Sequence, residues 1–90
     1  MTGAKMAEVL DSYIKMFTDL GISEISDYTK VTNKSERLQY LHAMCKKTKK
    51  LVEDGDVEKA NRWLGFIQGG LWADKVFTID DMRDHNRSSQ

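Results

Sequence analysis

The side chains of this chain that could do chemistry are few and scattered. Cys45 is the one thiol, and His42 and His85 are the two imidazoles. A cysteine nucleophile needs a base or a cationic neighbourhood to form its thiolate. Cys45 instead falls in the apolar stripe Leu38, Leu41, Cys45, Thr48 and Val52, with Met44 and Leu51 beside it, and reads as a buried, inert thiol. His42 falls on the polar side of the same helical segment and His85 in the C-terminal one. No Ser/His/Asp or Cys/His order can be assembled around either, so each reads as a solvated imidazole. Asp80, Asp81, Asp84 and His85 form the one acidic cluster with a metal-like flavour. Helical spacing brings Asp81 and His85 to one face, but two ligands do not make a site. A salt-bridged, solvent-facing helix is expected there, with no metal and no cofactor.

Lys46, Lys47, Lys49 and Lys50, with Arg37 a few turns earlier, are the best electrostatic candidate. They spread around more than half of a helix circumference, no aromatic interleaves with them, and no phosphate-cradling glycine loop accompanies them. A solvated face near a helix C-terminus, where the dipole favours positive charge, is the expected reading. Anion binding at Lys46, Lys47 and Lys50 is the alternative. Arg62, Phe66 and Trp72 are of the types that dominate binding hot spots, and they lie off the main apolar stripe of their helix. In so small a chain, packing of these side chains against the first helix is expected ahead of an external interface.

The elements that must position these residues are helical. Met6, Val9, Leu10, Tyr13, Phe17 and Leu20 recur at three- and four-residue steps, predicting a first helix from about Ala4 to Leu20 with Gly21 as a left-handed cap. Residues 22–34 read as mostly irregular, with Ile22, Ile25, Tyr28 and Val31 pinning the segment to the helices. Ser35 is placed as the N-cap of the second helix, with Glu36 near its positive end. Asp54-Gly55-Asp56 closes that helix and caps the next, so the second and third helices form an antiparallel hairpin.

The third helix is expected from Val57 to Ala73 or Lys75. At 100° per residue, Val57, Ala60, Leu64, Ile67 and Leu71 face the second helix, with Trp63 at the edge. Gly65, Gly69 and Ala73 line up on the opposite side between Phe66 and Trp72. Glycine inside a helix costs about 1 kcal/mol relative to alanine, so Gly65, Gly69 and Gly70 call for a packing reason. A groove of small residues between large aromatics admits a close helix, and the third helix is therefore expected to be buried on two faces. Thr78-Ile79-Asp80-Asp81 resembles a capping box that opens a short fourth helix and turns Ile79 and Met82 inward. Asp80 with Arg83 and Asp84 with Arg87 can pair one turn apart. Residues 88–90 are expected to fray.

Composition agrees. The 90 residues form one predicted domain, with 14 basic and 14 acidic side chains, zero net charge and no proline. Zero net charge gives no global steering towards nucleic acid or anionic membrane, and favours association. A single cysteine excludes an intrachain disulfide and fits a reducing, cytoplasmic setting. No apolar run suggests a signal peptide or a membrane span, so no membrane partner is expected.

Lys59-Ala60-Asn61-Arg62-Trp63-Leu64-Gly65-Phe66-Ile67-Gln68-Gly69, Leu71-Trp72, Thr78-Ile79-Asp80-Asp81-Met82-Arg83 and Asn86-Arg87 together resemble the C-terminal signature of small proteins encoded by tailed bacteriophages. The resemblance covers about a third of the chain and brings no catalytic residues. It implies an accessory protein of the host bacterial cytoplasm that binds and redirects or inhibits a host or phage protein. The expectation is thus an all-α, non-enzymatic, self-associating binding protein whose interface is Arg62, Gly65, Phe66, Gly69, Trp72 and Ala73. A helical nucleic-acid or nucleotide binder using the lysines is the alternative.

Overall fold

The computed structural model describes residues 1–87, and the expected fraying of residues 88–90 lies outside them. The described chain is all-α: α1 (Gly3–Asp19), α2 (Lys34–Glu53), α3 (Val57–Ala73) and α4 (Ile79–Asn86). Helices α2 and α3 form the antiparallel hairpin, and α1 packs along α2 and α3 on one side of it. Met6, Val9, Leu10, Tyr13 and Phe17 of α1 meet Leu41, Met44 and Cys45 of α2 and Ala60, Leu64, Ile67 and Leu71 of α3 in a single core.

Local chemistry sets the ends. The Thr2 and Asp56 side chains accept hydrogen bonds from Lys5 and Lys59 backbone N–H groups and open α1 and α3. The second helix begins earlier than Ser35 would allow. Asn33 is its N-cap, accepting from the Glu36 N–H at 2.9 Å, while the Glu36 carboxylate reaches back to the N–H and hydroxyl of Thr32. Asn33 with Glu36 is a capping pair at the three-residue spacing, and it displaces Ser35 into the first turn. Thr78 and Asp81 form the expected capping box of α4.

The first three helices end in the same way. Gly21, Gly55 and Lys75 hold positive φ, and each is followed by a residue whose N–H returns to a carbonyl five positions back. These are Schellman closures, which satisfy the last free carbonyls. Glycine takes the left-handed position twice. The third time it is Lys75, at φ 61°.

Several expected positions differ. Leu20 is 66% exposed because the helix closes at Gly21 before the stripe can complete another turn. The irregular connection ends at Asn33, one residue before its expected limit, because α2 opens at Lys34; it contains one 3-10 turn, Tyr28–Lys30, and folds back along α2, where the Ile25 N–H donates to the Gln39 carbonyl at 3.2 Å. Ile22 packs on the core, whereas Tyr28 is 72% exposed. The core buries Leu41, Met44 and Cys45, and the returning chain covers His42, so Leu41 to Cys45 are buried without a break. Ile79 is exposed too: α4 docks through its polar end.

Candidate functional site

Helix α3 buries one face. Leu64, Ile67 and Leu71 turn into the core, and α1 approaches from that same side, leaving the glycine side open. Two buried faces were expected, and the reason for the difference is area: glycine presents no side chain for α1 to cover. A Cβ built on Gly65 or Gly69 meets nothing within 4 Å. Gly70 is the exception, since its Cβ would come within 2.9 Å of a Leu41 methyl. That glycine has a packing reason inside the chain; the other two have none among the described residues.

Arg62, Gly65, Phe66, Gly69, Trp72 and Ala73 are therefore all exposed, with Phe66 at 58% and Trp72 at 53%. The expected packing of Phe66 and Trp72 against α1 does not occur. Instead Phe66 borders a groove between α2 and α3 on the side away from α1. One cavity of about 300 Å³ is lined by Tyr28, Val31, Arg37, Tyr40, Leu41, Phe66, Gly70 and Asp74. A second, of about 390 Å³, is lined by Tyr40, Met44, Lys47, Trp63 and Phe66. Tyr40 and Phe66 are common to both, and α1 contributes to neither. Trp72 lies apart, beside the turn from Lys75 to Asp81.

One end of the groove is locked by an ion pair. The Arg37 guanidinium donates to both Asp74 carboxylate oxygens, at 2.8 to 3.2 Å. Asp74 caps the C-terminus of α3, where the helix dipole disfavours a carboxylate. Hydrogen bonding from Arg37 outweighs that and holds the carboxyl below its usual range. At the other end, the Lys59 ammonium stands 5.1 Å from the Trp63 ring centroid, a cation–π pair.

The lysine cluster divides. Lys46 pairs with Glu24 at 2.7 Å, Lys49 with Asp11 at 2.7 Å and Lys50 with Asp54 at 3.2 Å. Lys47 has no ion pair among the described residues and lines the aromatic groove. Three of the four therefore sit on carboxylates from three different parts of the chain. Asp80 and Arg83, and Asp84 and Arg87, pair as expected.

Both histidines depart from the solvated reading. His42 is 4% exposed, with its ring stacked on Phe17 at 5.2 Å between centroids. Its Nδ1 donates to the Ile22 carbonyl at 2.8 Å, and Nε2 is buried without a partner among the described residues. The folding back of residues 22–34 is the cause, and no pattern within α2 announces it. His85 is half-buried, 2.7 Å from the Tyr13 hydroxyl through Nδ1. Gln68 Nε2 donates to that hydroxyl at 3.0 Å and to Asn86 Oδ1 at 2.7 Å, and Asn86 Nδ2 donates back to Gln68 Oε1 at 3.0 Å. The tyrosine has one proton, so it donates to His85 while accepting from Gln68.

Cys45 is buried as expected, and burial pushes its thiol up to about 12, away from nucleophilic use. No group of three metal-ligating side chains comes together among the described residues. No described helix is long and apolar enough to cross a membrane. Comparison with protein-family models, curated proteins and solved structures gave no match for this chain.

Proposed function

We propose that this protein is a non-catalytic accessory protein, of the phage type its C-terminal signature resembles, that binds and modulates a host or phage protein. Docking is through the open groove of the α2–α3 hairpin and the adjoining exposed face of α3. One observation carries the reading: Phe66, at the centre of α3, stands 58% exposed beside Tyr40 and Trp63 in a chain too small to leave large aromatic side chains outside without use. The inert thiol of Cys45 and the engagement of His85 with Tyr13 support a non-catalytic role.

Capture from a bacterial lysate tests it. The tagged chain is expected to retain a specific partner that Phe66→Ala and Tyr40→Ala lose and that Leu20→Ala, at an exposed position off the groove, keeps. Each variant is first checked for an unchanged helical circular dichroism spectrum. Equal retention by all three variants sinks the groove as the docking surface.

A further inference from the structure

The groove has a charge pattern as well as an apolar floor. Of the 14 Lys and Arg side chains, eight sit in ion pairs: Lys5, Lys15, Arg37, Lys46, Lys49, Lys50, Arg83 and Arg87. Lys30, Lys34, Lys47, Lys59, Arg62 and Lys75 have no such pair among the described residues. Three of these border the groove. Lys47 lines it, Lys59 covers Trp63, and Arg62 lies one turn before Phe66 on the same side of α3. The one carboxylate in the lining is Asp74, and both of its oxygens are already held by Arg37. On the neighbouring turns Glu36, four residues before Tyr40, is held by Thr32, and Glu58, four residues before Arg62, lies outside the lining, so Lys47, Lys59 and Arg62 outnumber the free carboxylates along this border.

The shape is that of a helix seat. Two packed antiparallel helices offer one groove on each side, and a third helix can lie in either at the usual interaxial distance of roughly 8–10 Å. Here α1 fills one, burying Met6, Val9, Leu10, Tyr13 and Phe17. The other is empty of α1 and holds Leu41, Met44 and Phe66 in its floor and walls. We propose that this second groove receives an amphipathic helix of a partner protein whose apolar anchors seat between Tyr40 and Phe66 and whose flanking acidic residues pair with Lys47, Lys59 and Arg62. The proposal rests on the docking function argued above and specifies the partner's chemistry. A second copy meeting groove to groove would oppose like charges. Single-stranded nucleic acid is less well matched, because Lys59 already covers the Trp63 ring on which a base would stack and Leu41 and Met44 offer it no polar contact.

The test uses the full chain carrying Trp72→Phe, which leaves Trp63 in the groove as the single tryptophan. Two synthetic amphipathic helices of about four turns, with identical apolar faces and either glutamate or lysine flanks, are titrated against Trp63 emission. The glutamate helix is expected to saturate the signal with at least about tenfold tighter binding than the lysine helix. Phe66→Ala should weaken it about tenfold, and Lys47→Glu with Arg62→Glu should reverse the preference. Equal or tighter binding of the lysine helix overturns the acidic partner. Saturation by a thymidine oligonucleotide with the same residue dependence overturns it in favour of nucleic acid. A Trp63 shift on concentrating the protein alone, abolished by Phe66→Ala, overturns it in favour of a second copy. In the lysine-helix case the docking reading stands; in the last case a second copy fills the groove and the docking reading falls with it. Silence of both helices, together with a lysate partner indifferent to Phe66→Ala, removes both.

Discussion

Tyr13 joins the apolar core to the polar seat of the last helix, with its ring in the core and its hydroxyl on His85 and Gln68. The ring is buried in the core and stacks on Phe77 at 5.7 Å, while the hydroxyl donates to His85 and accepts from Gln68. Burial pushes its ionisation from the ordinary 10.0 up to about 12, against the lowering effect of the Gln68 hydrogen bond. The folded chain therefore holds the phenolic proton more tightly than the unfolded chain. That contribution is fully present below pH 10 and is lost as the pH rises towards 12. The shift is equivalent to roughly 2–3 kcal/mol. Lysines also deprotonate in this window, so the measurement is a difference. Urea unfolding of the wild type and of Tyr13→Phe, compared at pH 9 and near pH 12, should show the wild type losing about 2 kcal/mol more. At neutral pH, Tyr13→Phe should itself cost about 1–3 kcal/mol, because Gln68 loses its acceptor and His85 its donor. Identical pH dependence in the two proteins contradicts the coupling.

At the scale of helices, most of what local chemistry dictates was legible in the sequence. The stripe Met6, Val9, Leu10, Tyr13, Phe17 identified α1, and Asp54-Gly55-Asp56 identified the hairpin, because periodicity and caps act within a few residues. What stayed hidden depends on segments far apart in the chain. The burial of His42 and Ala43 comes from residues 22–34 lying across α2, and Tyr40 and Trp63 become groove walls only once α2 and α3 are in place. Phe66 and Trp72 were recognisable as aromatic side chains off the main stripe, but a helical wheel cannot say which faces a small domain leaves uncovered. Glycines 65, 69 and 70 show the same division. Open space around the first two means that alanine there gains helix propensity without a clash, so Gly65→Ala and Gly69→Ala should each stabilise by up to about 1 kcal/mol. Gly70→Ala places a methyl 2.9 Å from the end of the Leu41 side chain, which must shift towards the groove it lines, and that adjustment offsets part or all of the propensity gain. Thermal unfolding of the three variants gives the order directly. A loss of stability at Gly65 or Gly69 contradicts the open face.

Across the whole molecule, the attachment of α4 differs in kind from that of the other helices. The core is shared by α1, α2 and α3, whereas α4 contributes no buried residue and touches chiefly α1. Its eight residues are below the length at which an isolated helix is stable in water. What holds it is the capping box, the edge contact of His85 with Phe77 at 4.6 Å, the hydrogen bond that the Tyr13 hydroxyl donates to His85, and the reciprocal pair between Gln68 and Asn86. Exposed pairs such as Asp80 with Arg83 add at most a few tenths of a kcal/mol. Apolar burial supplies most of the free energy that resists opening, so a helix without it should open before the core does. Native-state hydrogen exchange should accordingly show the amides of Met82 to Asn86 exchanging at least about 100-fold faster than those of Leu41 to Cys45, with a correspondingly lower opening free energy. Gln68→Ala removes both its bond to Tyr13 and its pair with Asn86. It should bring the α4 amides close to unprotected rates while slowing of exchange persists through α2 and α3. If the α4 amides instead open with the same free energy as Leu41 and Leu64, all four helices unfold as one unit and the polar seat is worth as much as core packing.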